Sequence, residues 1–197
     1  MLFRWGRYVL KLYGGAMSRA TLVRWYLEEL QVPYEFVLLD MRAGEHLQPT
    51  FLAINPFGKV PAIVDGDLVL WESGAILLYL SRRYGPPLDP AAEAVQAQWI
   101  LFANATLGPE VFVEARREQA MPRLVGGLDA LLANQPFVAG DQFSAADVAV
   151  GSILFYIPLM LKVDLSPYAR VSAYLARLGA RPAFQKTMAL RSAAQPA

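Results

Sequence analysis

The chain of 197 residues contains no cysteine, a single histidine and almost no net charge, with 18 Lys and Arg against 17 Asp and Glu. Without cysteine there is no disulfide, no thiolate metal ligand and no protein-borne thiol nucleophile, which fits a reducing compartment. His46 has no histidine or cysteine companions, so a metal cluster and a protease-like triad both lack support. A formal charge of +1 gives no electrostatic case for nucleic acid or for acidic partners. Long hydrophobic runs are scarce too. The most apolar one, VAVGSILFYIPLMLKV from Val148 to Val163, falls short of the ~20 residues of a membrane span and holds Gly151 and Pro158. It reads as a buried helix. Lys11 interrupts the opening MLFRWGRYVLKLYGG, so no secretory signal is expected. The expectation is a soluble, cytoplasmic protein without a membrane partner.

Hydrophobic residues make up 55% of the chain, enough to build a core for one large domain or two small ones. Up to about Arg83, strand and helix patterns alternate. YVLKLY reads as a strand followed by a Gly-Gly turn. SRATLVRWYLEELQV places Leu22, Val23, Tyr26, Leu27 and Leu30 at helical spacing. YEFVLLD is a second strand, and Pro49 limits GEHLQPTFLAIN to a loop or irregular helix. PAIVDGDLVLW reads as a hairpin turning at Asp65-Gly66, and ESGAILLYLSRRY as a helix. The order βαβ, then αββα, predicts a small mixed sheet with helices on its faces. GPPLDP, residues 85–90, reads as a linker, and beyond it every pattern is helical. In FSAADVA, Ser144 and Asp147 have the spacing of a capping box, a structural role.

One stretch raises a question of chemistry. NPFGKVPAIVDGDLVLWES, from Asn55 to Ser73, puts Pro61 where a strand should begin. Proline gives a sheet no N–H, so it is confined to edges and strand starts. Its placement suggests backbone kept free to pair with something other than the protein. An acidic residue and a serine, Glu72 and Ser73, then open the next helix. Free N–H groups and the helix dipole there favour an anion, although the pair can equally serve as a cap.

Four motifs in order carry a resemblance to the cytosolic glutathione transferases: NPFGKVP resembles their cis-proline loop and WESGAILLYL their glutamate-serine helix start. GEHLQPTFLAINP resembles the loop contacting the glycine end of glutathione, and FSAADVA their helical-domain capping box. YGGAMSRATLVRWYLEEL is most similar to bacterial Ser-Arg types, with the chi class as the specific expectation. The resemblance implies a thioredoxin-like βαβαββα domain over residues 1–84, a linker at 85–90 and an all-helical domain over 91–197. It implies glutathione as cosubstrate, no metal, a small apolar electrophile as partner and a homodimer. MLFRWGR precedes the first strand by more than the resemblance allows.

The resemblance also assigns roles. A cis Val60-Pro61 bond would turn the Val60 N–H and C=O outward to pair with the cysteinyl part of glutathione, a recognition by backbone addition. Ser73 would meet the γ-glutamyl carboxylate and Glu72 the ammonium. His46 would contact the glycine carboxylate, with Lys59 in the same reach. The thiol needs activation: a free thiol near pKa ~8.5 is only ~3% thiolate at neutral pH. Ser18 matches the serine-type donor, with Arg19 as an electrostatic helper. Tyr13, six residues before Arg19, fits the tyrosine-type register, so both donors stay open. The missing cysteine argues against mixed-disulfide chemistry and, with GAMSRA in place of the signature, against isomerase action.

The electrophile is expected between Ala16-Met17 and the helical domain, with Leu107, Val111, Phe112, Arg116, Tyr156 and Met160 as candidates that core packing or a solvated face explains equally well. With the chain ending soon after its last helix, an open site of broad selectivity is expected. Aryl halides, isothiocyanates and, as a side peroxidase activity, hydroperoxides form the implied substrate range. A non-catalytic interaction module, or a carrier of hydrophobic ligands, on the same fold is the rival. Such relatives tend to lose the ligand-contacting residues, which are all present here.

Overall fold

The computed structural model describes residues 9–189. MLFRWGR, Tyr8 of the expected first strand and the tail of the last helical pattern lie outside the described residues. The chain divides into two compact units, Met1–Gly85 and Pro86–Ala197.

The first unit is built on a four-stranded sheet in the order β2-β1-β3-β4. Strand β1 (Leu10–Gly14) runs parallel to β2 (Tyr34–Leu38) and antiparallel to β3 (Ala62–Asp65), which pairs with the edge strand β4 (Leu68–Trp71). Alternation in β1 buries Leu10 and Leu12 on one face, with Ile63 opposite Leu12. Helix α1 (Ala20–Glu29) buries Leu22, Val23, Trp25, Tyr26 and Leu27, and packs against α3 (Ser73–Tyr84), which buries Ile76, Leu77 and Leu80. Gly14 lets α1 start hard against β1: a Cβ at that position would stand 2.2 Å from the Ala20 Cβ. The expected loop after β2 is a 3₁₀ turn at Glu45–Leu47 followed by the short α2 (Pro49–Leu52).

The hairpin lies one residue later than its sequence suggests. Asp65 pairs with Leu68, so the turn residues are Gly66 and Asp67, with Gly66 at φ 61°. Gly is the residue that takes this left-handed position without steric cost. Asp65, released from the turn, accepts the Tyr79 hydroxyl at 2.7 Å and the Tyr84 hydroxyl as well, tying the hairpin to α3. Burial, reinforced by Asp65, raises the Tyr79 pKa to about 12 and pushes Tyr84 up too. Stability from these protonated hydroxyls is therefore fully present below the ordinary tyrosine pKa of ~10 and is lost as pH rises through the folded values. In an alkaline spectrophotometric titration Tyr79 and Tyr84 are expected to be among the tyrosines that ionise late. Asp65→Asn should bring both part-way back, and an unchanged titration would disprove the tie.

The second unit, among the described residues, is helical: α4 (Pro90–Leu101), α5 (Gly108–Phe112), α6 (Glu114–Ala120), α7 (Gly126–Leu131), α8 (Ala145–Tyr156), α9 (Ala169–Gly179) and α10 (Pro182–Phe184). Pro90, expected in the linker, is the first residue of α4, capped by the Asp89 carboxylate on the Ala92 N–H at 2.9 Å. The long pattern expected from Ala91 to Arg117 breaks at Val113, whose ψ of 115° is extended. The helices widen to π geometry at Phe102–Leu107, Met121–Val125, Ile157–Leu161 and Gln185–Ala189. Pro122 and Pro158 sit in two of these turns and Pro109 follows a third. A proline has no N–H for the carbonyl four residues back and clashes with it, which favours such a bulge.

Of the apolar run expected as a buried helix from Val148 to Val163, the part up to Tyr156 falls in α8, which is buried at nearly every position from Ala145. The rest leaves α8 for the π turn at Ile157–Leu161, where Ile157 alone is buried. Among the described residues no helix is long and apolar enough to cross a membrane. The Ser144–Asp147 capping box is present, and Asp147 reaches further than the motif implies. Fully buried, it accepts the Val138 N–H and the Ser144 N–H at 2.9 Å and the Tyr174 hydroxyl at 3.0 Å. One carboxylate thus ties α8 to its preceding loop and to α9.

Candidate functional site

The sheet register gathers the candidate residues of the first unit. Gly14 pairs with Leu38, Tyr13 with Ala62, and Ala62 with Trp71. The ends of β1, β2 and β4 and the start of β3 therefore share one end of the sheet. From that end run the segments bearing Ser18 and Arg19, His46, Val60 and Pro61, and Glu72 and Ser73.

The Val60-Pro61 bond is cis. Asn55, 1% exposed, shapes the loop ahead of it. Its Nδ2 donates to the Lys59 carbonyl at 2.7 Å, its Oδ1 accepts the Phe57 N–H at 3.1 Å, and its carbonyl accepts the Gly58 N–H at 3.0 Å. Val60 is half-buried, with no hydrogen bond to its N–H or C=O among the described residues, and Lys59 is exposed. The peptide edge beside Pro61 is open for pairing.

Glu72 is exposed and held at φ 71°, ψ 116°, a conformation an L-residue adopts at a cost. It turns the chain from β4 into α3, whose first residue, Ser73, is 4% exposed. Arg19 reaches across from the start of α1: its Nη2 and Nε donate to the Ser73 Oγ at 3.0 and 3.3 Å. A guanidinium, a serine hydroxyl and the free N–H groups of a helix start thus converge, a combination suited to an anion.

Ser18 lies just before α1. Its Oγ accepts the Gly15 and Ala20 N–H groups at 3.1 and 3.2 Å and donates to the Gly15 carbonyl at 2.9 Å. It caps the helix start and stands where the α1 dipole is positive. The Tyr13 ring packs on Phe51 of α2 with centroids 5.9 Å apart. Ala16 and Met17, next to Ser18, are exposed. His46 is half-buried in its 3₁₀ turn, and its Nδ1 is buried without a hydrogen-bond partner among the described residues. A buried, unpaired ring nitrogen is costly unless a ligand completes it. Asp40 shapes this loop by accepting the Arg42 and Ala43 N–H groups at 2.9 and 3.0 Å, which holds its carboxyl below the usual range.

Residues 8–82 match the family model for the glutathione S-transferase N-terminal domain, and residues 112–177 the one for the C-terminal domain. Glutathione S-transferase 3 of Zea mays is 33% identical over 91% of this chain and 93% of its own length. The chain belongs to the glutathione S-transferase family. Among solved structures, a glutathione S-transferase-I bound to lactoylglutathione is similar at TM-score 0.78 and 31% identity, over 93% of this chain and all of the other. A theta-class glutathione S-transferase from Xanthomonas axonopodis pv. citri, with glutathione bound, gives TM-score 0.77 and 30% identity over 91% of this chain and 96% of the other.

For a glutathione S-transferase, the electrophile candidates of the helical unit fall into two groups. Leu107 and Val111 are fully buried, and Tyr156 is buried with its hydroxyl 3.9 Å from the Met188 sulfur. Those three side chains are committed to the unit's interior. Phe112 keeps part of its surface, Met160 is 52% exposed, and Arg116 is an exposed residue paired with Glu110 at 3.1 Å.

Sequence reasoning missed one residue that shapes this end of the sheet, Asn55, and one contact between residues it had named, Arg19 with Ser73. Asn55 was visible only as part of a motif, and the Arg19–Ser73 bond, spanning 54 positions, has no local signature. Asn55→Ala is expected to destabilise the protein by about 2 kcal/mol, because it leaves the Phe57 N–H and the Lys59 carbonyl without their partner. Glutathione binding should weaken several-fold alongside. Denaturant unfolding and titration calorimetry check both, and unchanged affinity would show that the loop needs no such clamp.

Proposed function

We propose that this glutathione S-transferase family member conjugates the thiolate of glutathione to small hydrophobic electrophiles. The observation that carries the reading is the collection at one sheet end of an open backbone edge at Val60, an anion-binding helix start at Ser73 and a hydroxyl at the start of α1. Glutathione is a peptide with two carboxylates, an ammonium and a thiol, and these groups match that set.

In this reading Val60 pairs with the cysteinyl backbone, and Ser73 and Glu72 meet the γ-glutamyl carboxylate and ammonium. The unpaired His46, with Lys59, takes the glycine carboxylate. Ser18 turns its hydroxyl from the Gly15 carbonyl to the sulfur. There, with the α1 dipole, it favours the thiolate; Tyr13, its ring held on Phe51, is the weaker candidate. Catalysis is then thiolate generation and orientation, with the sulfur as nucleophile and no group of the protein bonding to substrate. The electrophile candidates with accessible side chains are Ala16 and Met17 in the first unit and, in the helical unit taken by itself, Phe112, Met160 and Arg116. A bacterial Ser-Arg type of chi-class character, a homodimer and a cytoplasmic location belong to the same proposal. Its support is Ser18 and Arg19 opening α1 and the family likeness.

The test is titration calorimetry with glutathione, followed by assay of conjugation to 1-chloro-2,4-dinitrobenzene. Saturable binding with turnover supports the reading. Binding without turnover on any electrophile class would favour a carrier, and no binding the interaction module.

A further inference from the structure

Arg19 stands one residue from the proposed thiol donor, yet its side chain is spent elsewhere. Both Nε and Nη2 donate to the Ser73 Oγ, at 3.3 and 3.0 Å. A serine hydroxyl has one hydrogen to give and two lone pairs to receive. With its acceptor side held by a guanidinium, the Ser73 hydrogen is turned away from Arg19. Among the described residues it meets no acceptor, although Ser73 is only 4% exposed. A buried hydroxyl donor left unused at the start of a 12-residue helix, beside a fixed cation, is matched by a carboxylate oxygen.

We infer that Arg19 is a specificity-determining and positioning residue for the carboxylate at the γ-glutamyl end of glutathione, acting through Ser73, and is not a helper of the thiol. This rests on the proposed function and refines it. Arg19 fixes the direction in which Ser73 donates and adds a positive charge to the helix dipole, so ligands that keep the thiol but lack that carboxylate lose what Arg19 provides. Its planar fork is also why lysine cannot replace it fully: an ammonium supplies charge without two N–H groups in one plane on one oxygen.

The experiment compares Arg19→Met, Arg19→Lys and Ser73→Ala with the unsubstituted protein. The thiols are glutathione and its analogue lacking the γ-glutamyl α-carboxylate, 4-aminobutanoyl-Cys-Gly. Arg19→Met should raise the KM for glutathione roughly 10- to 100-fold, the range of a charge-assisted hydrogen bond. The pKa of the bound glutathione thiol should stay nearly where it was. With the analogue the same substitution should change KM less than about threefold, and Arg19→Lys should recover part of the loss. Adding Ser73→Ala to Arg19→Met should cost less than the product of the single effects.

An equal loss on both thiols overturns the inference in favour of a purely structural role. A raised thiol pKa with KM unchanged overturns it in favour of thiol activation. Failure of the unsubstituted protein to bind glutathione overturns the proposed function and this inference together, whereas the first two outcomes leave the function standing.

Discussion

Asp147→Ala is expected to cost about 3–5 kcal/mol, a large part of the ~5–15 kcal/mol by which a domain is stable. The substitution removes a buried acceptor from the Val138 and Ser144 N–H groups and from the Tyr174 hydroxyl. The Val138 N–H and the Tyr174 hydroxyl stay inside, where water does not replace the lost partner. Tyr174→Phe, which deletes one donor and leaves the carboxylate its backbone partners, should cost only about 1 kcal/mol. Burial pushes the Asp147 carboxyl up, against the pull of the hydrogen bonds it accepts. A raised acid contributes stability that is fully present below its unfolded pKa and is lost as pH rises through its folded one. Asp147 therefore adds no acid lability of its own, and the gap between the parent and Asp147→Ala should not widen as pH rises above that folded value. Denaturant unfolding at several pH values measures all of this. A cost below 1 kcal/mol for Asp147→Ala would show that the helical unit does not depend on the carboxylate.

Ser18→Ala is expected to lower kcat/KM for conjugation about 100-fold, the size of effect seen when a single donor to a developing anion is removed. The loss should fall mainly on kcat at neutral pH, since the thiol would still bind but in its protonated form. Raising the pH toward the free thiol pKa of ~8.5 should restore much of it. The hydroxyl also holds the Gly15 and Ala20 N–H groups, so the fold must be checked alongside. Ser18→Thr keeps a hydroxyl and should retain most activity. Tyr13→Phe should remain within about threefold of the parent. The reverse pattern, with Tyr13→Phe inactive and Ser18→Ala active, would move the donor to β1.

The βαβ–αββα order, the helical second half and the capping box could be read from periodicity and turn chemistry, because each is written in adjacent residues. Boundaries were less legible. Asp65-Gly66 is a favoured turn dipeptide, yet the strand pairing takes Asp65 into the ladder, where Tyr79 and Tyr84 find it. Helical periodicity runs across Val113 without a mark, and the π turns near Pro109, Pro122 and Pro158 were signalled only by the prolines themselves. For the site, the motifs placed Val60-Pro61, Glu72-Ser73, His46 and Ser18, whereas what holds them was hidden. Asn55 acts through a loop fold that its neighbours do not spell out. Arg19 meets Ser73 only because α1 and α3 pack side by side. Burial, too, is a tertiary property: Leu107, Val111 and Tyr156 had the right character for an apolar pocket, and packing took all three inside.

The most direct test of the account is an ultraviolet difference titration of glutathione bound to the protein, following thiolate absorbance against pH. A bound pKa of about 6.5, two units below the free thiol, is expected, so that the thiolate is the major form at neutral pH. Saturable binding with a pKa still near ~8.5 would contradict it, leaving a protein that holds glutathione without activating it.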